Sequence, residues 1–115
     1  MAQGIPDDGL RVYSGWLVKK GEGLMAKSQQ RYFVLYRNAE IHYFDAEILT
    51  PKGRKGVVTL HGVRPQDIVV AKPGSSDYSF AINTPKRKWQ LKAPTQSSLD
   101  QWCTAIRSIL AISSK

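Results

Sequence analysis

Apolar and polar residues alternate with a period of two through most of this chain, the repeat of half-buried β-strands, whose successive side chains point to opposite faces. Seven segments carry the pattern: 12–19, 31–37, 40–45, 57–61, 67–72, 78–84 and 87–93. Each is rich in Val, Ile, Tyr, Phe or Trp and is bounded by Gly, Pro, Asn or Ser. Arg37-Asn38-Ala39-Glu40 and Thr84-Pro85-Lys86 are short turns, so strands two and three, and six and seven, are expected as antiparallel hairpins. The period changes at the C-terminus, where Leu99, Trp102, Cys103, Ile106, Ile109 and Leu110 fall on one face of a helix expected from about 96 to 111. Pro94 ends the last strand, Thr95 or Ser97 can cap the first-turn amides, and Asp100 suits the positive end of the helix. Seven antiparallel strands leave edges and an open end, so the amphipathic helix reads as a lid. The expected fold is mainly β: a seven-stranded, bent antiparallel barrel or sandwich, partly open, capped by one C-terminal α-helix.

A chain of 115 residues has room for one core and one domain. Residues 1–10, with two Asp, two Gly and a Pro, read as a flexible lead-in, and 11–113 as the folded unit. No apolar run approaches the roughly 20 residues that span a bilayer. Met1 to Asp8 lacks the basic start and apolar stretch of a secretory signal, and Gly4 is not placed for myristoylation. The single Cys103 can form no internal disulfide, which points to an intracellular, cytoplasmic setting. His42 and His61, the only histidines, lack the partners that metal coordination or nucleophilic catalysis needs, so neither an enzyme nor a bound metal or cofactor is expected. Charge changes the picture: seventeen Lys and Arg against nine Asp and Glu leave a formal +8, which favours phosphate-bearing partners.

Alternation says where some of that charge converges. In strand one the phase of Leu17 continues to Lys19, and in strand two the phase of Leu35 and Phe33 runs back to Arg31. In a hairpin the end of one strand adjoins the start of the next, so both cations are expected at one rim, and strand three brings Tyr43 to it. Adjacent like charges repel unless an anion neutralises them, and a phosphate does so readily. Lys20 and Lys27 in the first loop, and Lys52, Arg54 and Lys55 in the segment 50–56, are expected to hang around this mouth. Glu22 opposes its sign, while Leu24 and Met25 are apolar at the loop tip, placed either to enter a lipid interface or to fold back on the barrel.

These residues, with the helix, resemble the pleckstrin homology (PH) domain: Gly15-Trp16-Leu17-Val18-Lys19, then Arg31-Tyr32-Phe33-Val34-Leu35, Tyr43-Phe44, Trp89-Gln90-Leu91-Lys92-Ala93, and Trp102 with Ile106. The resemblance covers about residues 13–111, and Gly15 to Leu35 is most similar to the amino-terminal PH domain of protein kinase B relatives. It implies a bent barrel with the helix closing one end and a phosphoinositide head group held at the other by Lys19 and Arg31. It also brings the strand six–seven turn near that pocket, making Lys86, Arg87 and Lys88 possible peripheral contacts. Where the family pattern has a basic residue two positions before the Arg, this chain has Gln29. The expected function is a module that recruits a larger signalling protein to the cytoplasmic face of a membrane by binding phosphoinositides, or their soluble inositol phosphates. The alternative is a module of the same architecture that binds a peptide or small regulatory protein with little lipid specificity. Nucleic acid fits less well, because the aromatics alternate into the core and offer no stacking platform.

Overall fold

Alternation becomes burial most plainly in the last strand, Lys88–Lys92, where Trp89 and Leu91 are buried and Lys88, Gln90 and Lys92 are exposed. The computed structural model describes residues 4–21, 27–71 and 77–113. The strands are β1 (Arg11–Lys19), β2 (Gln29–Tyr36), β3 (Glu40–Phe44), β4 (Arg54–Thr59), β5 (Ile68–Val70), β6 (Ser79–Asn83) and β7 (Lys88–Lys92), followed by helix α1 (Gln96–Ser113). They form one seven-stranded sheet in the order β4-β3-β2-β1-β7-β6-β5, with every neighbouring pair antiparallel. With β4 and β5 at its edges, the sheet is not a closed barrel. Every strand contributes to a single core cluster, from Leu17 in β1 to Leu91 in β7, so the sheet curls around one inner face. The expectations placed on Glu22, Leu24 and Met25, and on Lys72 at the end of the fifth strand, lie outside the described residues.

Helix α1 covers one end of that core with the predicted face: Leu99, Trp102, Cys103, Ile106, Ile109 and Leu110 are all buried. Thr95 caps it, its hydroxyl accepting the Ser98 amide at 3.1 Å. The edge of Tyr13 meets the fully buried Trp102 ring at 4.8 Å between centroids and 88°. Gly15 faces the same indole, and a Cβ there would stand in ordinary contact, 3.5 Å from its nitrogen. Burial raises the pKa of the Cys103 thiol.

Two segments depart from expectation. Ile5, within the segment read as a lead-in, packs as Leu49 and Tyr32 do against a second cluster of buried Val34, Tyr36 and Phe44. The Arg37 amide donates to the Leu10 carbonyl at 2.7 Å. The fourth strand begins at Arg54, three residues before the expected 57, because Phe44 pairs with Arg54. Tyr43 pairs with Gly56, which leaves Lys55 as the extra residue of a bulge.

Candidate anion-binding mouth

Leu17 pairs with Arg31 and Lys19 with Gln29, so these four side chains share one face of the β1–β2 hairpin. It is the core face, since Leu17 is buried. Lys19 and Arg31 are diagonal neighbours, about 7–8 Å apart at the backbone, with Gln29 directly opposite Lys19. Tyr43 joins through its pairing with Phe33, on which its ring stacks at 5.1 Å. The sequence-predicted trio therefore stands together.

Aromatic rings seat the lysine. The Nζ of Lys19 lies 5.6 Å from the centroid of Tyr43 and 5.9 Å from that of Trp89, and these two rings meet edge-on at 5.8 Å. Such cation–π contacts are worth about 0.5–2 kcal/mol depending on desolvation, and they fix where the charge sits. Tyr43 is itself held from behind: a Cβ added at Gly56 would run into its hydroxyl. Arg87 stacks on Trp89 with its guanidinium carbon 3.9 Å from the ring centroid. The β6–β7 turn orients it, because the Thr84 hydroxyl donates to the Arg87 carbonyl at 2.8 Å and accepts the Arg87 amide at 3.1 Å. Arg31 donates from Nη1 to the Gln30 carbonyl at 2.9 Å, and its Nε is buried with no acceptor among the described residues. A buried donor left unmet costs roughly 1–3 kcal/mol, more when it is charged.

Several of the remaining predicted cations are engaged elsewhere. Arg54 lies on β4 and donates to the Gly4 carbonyl at 3.3 Å, on the side where Phe44 packs outward. Lys55 pairs with Asp45 at 3.7 Å. Lys27, Lys52 and Lys86 are exposed on loops. Lys20 and Lys88 line a cleft on the opposite face, since each follows or precedes an inward residue by one position. Trp89 was the residue that sequence reasoning passed over. Its signal was its phase with Leu91, which places the ring on the core face beside the turn.

With the seven-stranded sheet and its C-terminal lid described, the sequence matches the family description PH domain over residues 11–111. The chain belongs to the PH domain family. Its fold is similar to the C-terminal PH domain of pleckstrin in complex with D-myo-Ins(1,2,3,4,5)P5, with a TM-score of 0.66 and 23% identity, covering 86% of this chain and 97% of that one. It is also similar to the PH domain of human TBC1 domain family member 2 protein, with a TM-score of 0.72 and 19% identity over 99% of this chain and 90% of the other. The PH domain of human oxysterol-binding protein-related protein 11 gives a TM-score of 0.67 at 21% identity, over 87% and 80%. No curated protein sequence matches the chain. PH domains are modules that commonly bind phosphoinositides or proteins.

Proposed function

We propose that this PH domain holds a phosphoinositide head group at its mouth and thereby brings a larger cytoplasmic signalling protein to a membrane surface. Lys19 and Arg31 take the phosphates, Arg31 as a forked donor and Lys19 as a point charge, with Tyr43 beside them and Arg87 at the rim. The observation that carries this reading is the buried Nε of Arg31, a charged donor that finds no acceptor among the described residues and stands on the same face as Lys19. A phosphate oxygen supplies what the fold withholds. The pleckstrin domain of similar fold is in complex with an inositol pentakisphosphate, which supports the same ligand chemistry. The exposed Lys27, Lys52 and Lys86 add adhesion to an anionic leaflet, roughly 1 kcal/mol for each that approaches it, and that share weakens with salt.

The test is co-sedimentation with phosphoinositide-bearing liposomes. The double variant Arg31→Ala, Lys19→Ala is expected to lose binding at least tenfold while keeping its melting temperature within a few degrees. Undiminished binding by a folded double variant overturns the assignment and favours a protein partner instead.

A further inference from the structure

The outer faces of β1, β7, β6 and β5 enclose a cleft of about 330 Å³. Pairing builds it. The Lys20 amide donates to the Gln90 carbonyl at 3.0 Å, continuing the register in which Val18 faces Lys92. Lys20 is therefore opposite Gln90, with Lys88 and Lys92 two positions to either side on β7. Three cations surround one amide. Among the described residues no carboxylate lines the cleft and none of these lysines is in an ion pair. Asp77, at one end, instead accepts from the Ser79 hydroxyl. Across β6, whose outward Ala81 is small, the far wall is β5, where the outward Val69 is 51% exposed. One wall is cationic, the floor is shallow, and the other wall is apolar.

We propose that this cleft is a docking site for an acidic, partly apolar peptide segment lying extended along β6. Lys88 and Lys92 are four residues apart on one strand, about 13 Å. That spacing matches acidic side chains at i and i+4 of an extended peptide, and it exceeds the span of a single phosphate group. Its alternate row of side chains points the other way, onto Val69, and removes exposed apolar surface from water. Charge complementarity to three lysines sets the sign of the ligand, and the two walls set its alternation.

The experiment is a titration of the isotope-labelled domain, followed by amide chemical shifts. The probe is a capped nonapeptide alternating Glu and Val, and its control is the isomer with the same residues in two blocks. The alternating peptide is expected to shift Val69, Ala81 and Gln90. In Lys88→Glu, Lys92→Glu the affinity falls at least tenfold, and in the milder Lys88→Met, Lys92→Met severalfold, whereas Arg31→Ala leaves it unchanged. Equal shifts from the blocked isomer, shifts confined to Lys19 and Arg31, or full binding by the charge-reversed variant each overturn the proposal. So does a soluble inositol phosphate that displaces the peptide from Gln90, because the cleft is then a second head-group site.

Discussion

Lys19 ends β1 and Lys20 follows it, and the two side chains stand on opposite faces of the sheet. Lys19 is seated between two rings at the mouth, next to an arginine whose buried Nε lacks an acceptor among the described residues. Lys20 stands over an open sheet surface with two further lysines and, among the described residues, no acid. The mouth is built deep, with its rings packed into the core and its turn locked by Thr84. The cleft is built shallow, from side chains that a period-2 pattern puts outside. A preorganised cation loses little freedom on meeting a compact, multiply charged anion, whereas mobile lysines on a flat face suit a longer ligand that collects several weaker contacts. Net charge alone, +8 for the chain, conceals this division.

The largest separation of the two regions is expected from Gly56→Ala. The new methyl collides with the Tyr43 hydroxyl, and Tyr43 is buried, so the ring moves and Lys19 loses one of its seats. Overpacking of this kind costs about 1–3 kcal/mol, read as a lower urea midpoint. Affinity for soluble inositol phosphates is expected to fall severalfold. Peptide binding at Gln90 is expected to stay as it was. If head-group affinity survives while stability drops, Tyr43 does not position Lys19 for ligand.

A smaller effect with two opposed signs is expected from Gln29→Lys. Gln29 is the direct cross-strand partner of Lys19, so a lysine there places like charges side by side. Without ligand this costs about 0.2–1 kcal/mol. With a polyphosphate bound, the same pair shares an anion, and affinity is expected to rise about three- to tenfold. Gln90→Lys is the counterpart in the cleft, opposite Lys20, and is expected to leave inositol phosphate affinity unchanged. Equal gains from the two substitutions would erase the distinction between the faces. Calorimetry with one inositol phosphate on both variants decides it.

The same phase rule explains what was legible in the sequence. All seven strands and the helix were readable because their patterns are clean, as in Trp89-Gln90-Leu91-Lys92 or Trp102 to Leu110. The start of β4 was not, because Arg54, Lys55 and Gly56 carry no apolar signal. They become strand only by pairing with Phe44 and Tyr43. Nor was the cover over the outer face, although Tyr32 to Tyr36 is apolar on both phases, a run that asks for burial on both sides. At the mouth, Lys19, Arg31 and Tyr43 followed from alternation. Lys20 was placed beside them by nearness along the chain and Lys88 by the family resemblance, and alternation carried to those positions puts both outside. Arg87 depended on a turn whose hydrogen bonds no pattern announces.

The smallest expected effect lies at the apolar wall of the cleft. The short helical turn Pro65–Asp67 leads directly into β5, and Asp67 closes it by accepting the Arg64 amide at 2.9 Å, with the Arg64 Nε at 3.5 Å. That backbone hydrogen bond, helped by the Arg64 side chain, holds the Asp67 carboxyl below its ordinary pKa. A group whose pKa is depressed by folding adds stability above its unfolded pKa and loses it as pH falls through the folded one. Asp67→Ala is therefore expected to lower the urea midpoint slightly at pH 7, with the gap closing in acid below about pH 4 as the parent protonates. The residue enters β5 just ahead of Val69 and Val70, so the variant is also expected to weaken the alternating peptide modestly at neutral pH and to spare the head group. A gap that stays constant down to pH 3 would mean that Asp67 acts by packing alone. A loss of inositol phosphate binding equal to the loss of peptide binding would mean that the mouth and the cleft respond as one unit, despite lying on opposite faces of β1.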